Sequence, residues 1–185
     1  MNGLVRVDNE SDIFEKYMGT PIELLFRYHN FAQPFDKYVD AQLLIGMCMD
    51  NRKQLKIPNN FAYVLRSGGG NLRHSEFKIS YAIAIGGVKC VAIIAHNKCG
   101  MVNLISKKDQ FIRGMVENAG WDEKHAEDHF ISFAPIFEIE NELSFLMGEI
   151  NRLRTIYPKI LFAPLYYNLD DNFLYLVADD NCVWK

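Results

Sequence analysis

The chain has 185 residues, 49% hydrophobic and 13% aromatic, with a formal charge of −3 at pH 7. That length and apolar content suit one domain over residues 1–185 with a sizeable core, and residues 1–38 are expected to form an N-terminal helical arm. The slight acidity argues against a broad basic surface for nucleic acid or anionic membrane, and no apolar run reaches the roughly 20 residues of a membrane span. The first six residues lack the apolar stretch of a secretory leader, so the expected location is cytoplasmic.

Residues 11–30 read as a helix capped by Ser11 or Asp12, with Ile13, Phe14, Tyr17, Leu24 and Leu25 apolar and Gly19-Thr20-Pro21 splitting it in two. Such an arm packs either on a partner subunit or on its own core. Residues 43–48 and 61–66 are short continuous apolar runs, the pattern of buried parallel strands. Residues 75–85 follow as a helix that stops at Gly86-Gly87. Residues 88–95 are a third buried strand. Residues 100–130 are polar and helical, interrupted by Gly114 and Gly120. Residues 138–157 carry a strong helical period in Ile139, Leu143, Leu146, Ile150 and Leu153, ended by Pro158. Residues 160–167 and 173–177 read as a hairpin joined by residues 168–172. Strands alternating with helices predict an α/β protein with a parallel sheet and right-handed crossovers, and ligands in such sheets gather at the carboxyl ends of strands.

Two strand ends carry the chemistry. Cys48-Met49-Asp50-Asn51-Arg52 follows the first run, and His96-Asn97-Lys98-Cys99 follows the third. Cys48, His96 and Cys99 make a soft donor set suited to tetrahedral zinc, and three protein ligands leave a fourth position for water or substrate, as catalytic zinc sites do. A carboxylate as close as Asp50 can orient a metal-bound water, and Arg52 can hold that carboxylate ionised. In a chain without a leader, metal binding is a better reading of these two cysteines than disulfides. Cys90 lies inside a strand run and reads as a small buried hydrophobe. Cys182 has no evident role. His125 and His129 read as part of a solvated helix rather than a second metal pair. His74, beside Arg73, reads as a surface or capping residue rather than a proton shuttle, and His29 has no evident partner.

Cys48-Met49-Asp50-Asn51-Arg52, Arg66-Ser67-Gly68-Gly69-Gly70-Asn71 and His96-Asn97-Lys98-Cys99-Gly100-Met101, in this order, resemble the motifs of the β-class carbonic anhydrases. The resemblance runs from about residue 42 to 104 and more faintly to the C-terminus. It implies a central sheet of four parallel strands with an antiparallel fifth, flanked by helices, and one zinc per chain. It also implies reversible hydration of carbon dioxide to bicarbonate and a proton by zinc-bound hydroxide. Asp50 would ligate zinc in a closed state or hydrogen-bond the hydroxide in an open one, and Arg52 would pair with Asp50. Gly68, Gly69, Gly70 and Gly100 would border the substrate pocket, and the chain would form a homodimer or higher homo-oligomer.

Several positions depart from the family pattern. Ser67 stands where Asn is usual, the glycine loop is one residue longer if Asn71 is the matching Asn, and Val39 occupies the place of a bicarbonate-contacting Gln. Asn51 and Lys53 replace the Ser/Ala and Val/Leu that commonly flank the Arg. The Cys-Met-Asp start resembles the branch that includes hydrolases of carbon disulfide and carbonyl sulfide, which keep the same metal set. Two alternatives therefore stand beside carbonate dehydration: hydrolysis of those sulfides on the same zinc, and a non-catalytic zinc protein with a sealed pocket.

Overall fold

The computed structural model describes residues 3–178, so Cys182 lies outside the described residues. The apolar runs become strands β2 (Leu43–Cys48), β3 (Ala62–Ser67), β4 (Cys90–His96), β5 (Leu161–Asn168) and β6 (Phe173–Val177), preceded by a short β1 (Leu4–Arg6). The described residues form one six-stranded sheet in the order β1-β6-β5-β4-β2-β3. Strands β2 to β5 are parallel, β6 returns antiparallel to β5 through the expected hairpin, and β1 pairs antiparallel with β6. The four parallel strands and antiparallel fifth are those the resemblance implied. The sixth, β1, has only three residues and no readable period; its register with Val177, Leu176 and Tyr175 makes it a strand.

Both faces of the sheet are covered, which is why its central strands are apolar throughout. Leu43, Ile45 and Met47 point to one face, where Tyr17, Ile22, Leu25, Phe26 and Tyr28 pack on them. The last four of these lie on helix α1 (Pro21–His29), whose first turn is capped by Thr20. The N-terminal segment therefore packs on its own sheet. Of the expected helix over 11–30, only α1 is α-helical; residues 10–12 and 15–17 are single 3-10 turns. On the opposite face, helices α2 (Glu76–Ala84) and α5 (Glu142–Ile156) lay Ile79, Ala82, Leu146, Ile150 and Leu153 on Leu44, Val91, Ile93 and Phe162. Gly46 points to this face, and a Cβ there would come within 2.5 Å of Leu72 and 2.9 Å of Ile93, so the close approach requires glycine.

Residues 100–137 form a helical hairpin of α3 (Lys108–Ala119) and α4 (Glu123–Phe137). Gly120, at φ 68°, ends α3 in a left-handed cap, whereas Gly114 sits inside α3 without breaking it; one glycine costs a helix only about 1 kcal/mol. Helix α5 starts at Glu142, capped by Asn141, rather than at residue 138, because Ile139 bridges to Val102 instead.

The chain leaves β2 outward to β3 and then crosses to β4 on the other side of β2. The carboxyl ends of β2 and β4 thus flank a topological switch point, where α/β sheets form their ligand crevices.

His29, at 4% exposure, does have partners: Nε2–H donates to the Asn172 carbonyl and Nδ1 accepts from the Lys56 N–H. It pins the loop after the first metal motif to the β5–β6 hairpin. Burial lowers its pKa from 6.5 to about 4. The folded ring stays neutral where the unfolded ring takes a proton, so stability present at neutral pH is lost as pH falls from 6.5 toward 4. The loss is about 3 kcal/mol in all. Urea midpoints are expected to fall between pH 7 and 5, with His29→Gln flattening that slope. A parent equally stable at both pH values contradicts this.

Candidate metal centre

Cys48 is the last residue of β2 and His96 the last of β4. Met47 lies beside Ile94 in the parallel register, so the next residues along the two strands emerge side by side. Beyond His96 the chain turns sharply at Lys98, φ 56°, and brings Cys99 back under the strand ends. Asn97 locks this turn. Its side chain accepts from Leu169 N–H at 2.8 Å and donates to Asn168 at 3.1 Å and Asp170 at 3.0 Å.

The ligand atoms of Cys48, His96 and Cys99 all lie within 4.8 Å of one another, and all three residues are buried. The two sulfurs are 3.9 Å apart. His96 Nδ1–H donates to the Asn97 carbonyl at 2.8 Å, which leaves Nε2 with its lone pair. That Nε2 is buried and has no hydrogen-bond partner among the described residues. A buried unpaired imidazole nitrogen beside two thiols is costly in a metal-free protein and is the normal state of a metal ligand. The residues therefore fit a zinc ion. Ile139, Met101 and Phe145 pack over the sulfurs and keep the surroundings apolar.

The electrostatics favour thiolate. The Cys99 thiol donating to Cys48 holds the Cys48 thiol far below its ordinary range, helped by the Asp50 N–H and Lys53. Cys99 keeps its proton because its neighbour is charged; a divalent cation would displace it.

Asp50 lies outside the three-ligand cluster. Arg52 Nε donates to Oδ1 at 2.9 Å and Nη2 to Oδ2 at 2.5 Å, with the Arg52 N–H adding a third bond to Oδ1. This pairing holds the carboxyl far below the usual range. Arg52 Nη2 also donates to the Lys98 carbonyl at 2.8 Å, so one guanidinium ties the Asp50 loop to the His96–Cys99 turn.

The glycine loop closes the third side. Gly70, at φ 74°, lies close enough that a Cβ would be 3.7 Å from Cys48 N, and Gly69 is also left-handed at φ 62°. Gly68 packs on Met101 and Phe137. Gly100 borders a cleft with Lys107 and Gln110 that shares Leu104 and Phe111 with the cavity beside the cluster.

Two neighbours escaped the sequence reading. Arg66 donates to the carbonyls of Cys48 at 3.2 Å, Asp50 at 3.4 Å and Lys53 at 3.3 Å, fixing the shape of the 48–53 loop. Lys53 is buried at 1% exposure, and burial lowers its pKa to about 8. Its departure from the apolar family residue was the available signal.

An apolar cavity of about 380 Å³ adjoins the cluster, lined by Met49, Gly68, Met101, Phe111, Phe133 and Phe137. His129 lines this cavity among Phe111, Trp121 and Phe133, and His125 meets Trp121 edge to face. Among the described residues neither belongs to a group of three metal-ligand atoms. His74 is exposed on a single 3-10 turn. No described helix is long and apolar enough to cross a membrane.

No protein-family model matches the chain, and no curated protein does. Solved structures do. The fold is similar to a β-carbonic anhydrase of Trichomonas vaginalis, with a TM-score of 0.62 at 17% identity over 80% of this chain and 89% of the other. It is similar to a carbonic anhydrase from Glaciozyma antarctica, with a TM-score of 0.61 at 19% identity over 76% and 85%. It is also similar to a carbon disulfide hydrolase, with a TM-score of 0.53 at 15% identity over 79% and 85%. The likeness is one of fold: the chain folds as β-carbonic anhydrases do.

Proposed function

We propose that this chain, with the β-carbonic anhydrase fold and a Cys48–His96–Cys99 cluster, is a zinc-dependent carbonate dehydratase. The observation that supports it most is the buried, unpartnered Nε2 of His96 within 4.8 Å of two sulfurs, next to an arginine-held aspartate. Zinc there would supply a Lewis acid that lowers the pKa of a coordinated water from about 15.7 toward 7. Asp50 accepts a hydrogen bond from the attacking water and aims its lone pair at the carbon of carbon dioxide. Arg52 keeps that carboxylate ionised and outside the ligand cluster. Met49, Met101 and the phenylalanines of the neighbouring cavity admit a neutral substrate and hold back bulk water.

That cavity, larger than a triatomic substrate needs and almost wholly apolar, favours a second reading on the same site: hydrolysis of carbonyl sulfide or carbon disulfide. Stopped-flow hydration of carbon dioxide by zinc-loaded protein, run beside sulfide detection with carbonyl sulfide, separates the two. Fast hydration without sulfide release is the expected result. Sulfide release with slow hydration selects the second reading, and neither activity with zinc bound contradicts both.

Assembly as a homo-oligomer is part of the proposal. Phe77, at 82% exposure, and Tyr81 lie on one face of α2, continued by Ile85 at 71%, and edge strand β3 adds Tyr63 and Val64. Val39, Tyr63 and Ile85 also meet around one cleft, with Asp40 and Asn60 between them. An unpaired edge strand beside apolar side chains suits a second copy across a two-fold axis. Light scattering is expected to give a multiple of 21.4 kDa, falling to that mass in Phe77→Glu. A parent of 21.4 kDa at micromolar concentration contradicts it.

A further inference from the structure

Lys53 is a charged side chain where a buried cation is expensive. It is 1% exposed, and among the described residues no carboxylate pairs with it. Its Nζ lies 3.5 Å from the Cys48 carbonyl. The ionisable side chains around it are Cys48, Cys99, Asp50 and Arg66. Asp50 is already neutralised by Arg52, and Arg66 is an exposed residue bound to loop carbonyls. The two sulfurs remain.

Two thiolates, a neutral imidazole and a divalent cation sum to zero, and Asp50 cancels Arg52. A neutral molecule at the fourth position would leave Lys53 as an uncompensated buried charge. An anion there brings the whole site to neutrality. In a low-dielectric pocket that difference is felt strongly.

We propose that the buried ammonium of Lys53 is a positioning charge that makes the metal centre prefer an anion at its fourth position, offsetting the electron donation of the two thiolates. This rests on the zinc-site reading above. The anions concerned are small and singly charged, the class to which hydroxide and bicarbonate belong.

The test uses full-length protein loaded with cobalt, titrated at pH 7, where the Lys53 ammonium keeps its proton, with azide and, separately, with imidazole counted as its neutral form, both followed by visible absorption. One cobalt per chain in the parent tests the metal reading itself; a parent that binds none overturns both. With cobalt bound, Lys53→Met is expected to raise the azide Kd on the order of tenfold, as the loss of one nearby charge should, and to lower the preference for azide over imidazole. Its thermal midpoint should match or exceed the parent's, because an apolar side chain replaces a buried ion. Lys53→Gln serves if Lys53→Met does not fold. An azide Kd unchanged within about twofold, or equal weakening of azide and imidazole, overturns the proposal.

Discussion

Replacing Asp50 by Asn is expected to lower carbon dioxide hydration on the order of 10²-fold or more while zinc stays bound. The amide keeps the size of the carboxylate but loses its charge. It turns an N–H toward the attacking water, which needs an acceptor there. Arg52→Ala should cost a similar factor by a different route. It removes the two-point clamp on the carboxylate and the tie to the Lys98 carbonyl, so Asp50 becomes free to enter the ligand cluster. Because the two side chains act as one unit, the double variant should lose little beyond the worse single one. Stopped-flow rates with zinc content measured on the same samples decide this. Asp50→Asn hydrating at the parent rate with zinc bound contradicts the assigned role.

The other large effect concerns the ligands. His96→Ala, Cys48→Ser and Cys99→Ser each remove a soft donor from a set of three. Their loss should exceed the 10–100-fold fall in affinity that follows loss of an outer partner of a metal ligand. After dialysis against a moderate chelator the parent is expected to keep about one zinc per chain and each variant almost none. Activity should fall to background. Asn97→Ala should do less, since it only frees the turn that carries Cys99. A ligand variant that retains one zinc would falsify the assignment of that residue.

The strands and the metal cluster were legible because each depends on local pattern. Apolar runs of six to eight residues mark β2, β4 and β5, buried on both faces, with Cys48 and His96 at the ends of two of them, whereas the run at β3, expected to be buried, is a part-exposed edge strand because nothing pairs beyond it among the described residues. What stayed hidden depends on contacts distant in sequence. Nothing in Leu4-Val5-Arg6 announces a strand; β6, more than 160 residues away, makes it one. The arm reads as amphipathic, but only the folded sheet shows that its apolar face meets Ile45 and Ala92 rather than another subunit. His29 gains a role because residues 56 and 172 converge on it. Arg66 opens a motif and Lys53 stands where an apolar residue is usual, but the sequence assigns neither a contact. Their part in the 48–53 loop comes from backbone carbonyls, which no side-chain motif records. Cys48 and Cys99 carry their chemistry in their identity, which is why the cluster was the easier part to see.

X-ray absorption at the zinc edge tests the central claim most directly, since it reads the coordination shell itself. The expected shell holds two sulfur neighbours at about 2.3 Å, one imidazole nitrogen at about 2.0–2.1 Å and a fourth, light neighbour that azide displaces. A shell without two sulfurs and one imidazole, or one that azide leaves unchanged, would contradict a Cys48–His96–Cys99 centre with an open position for chemistry.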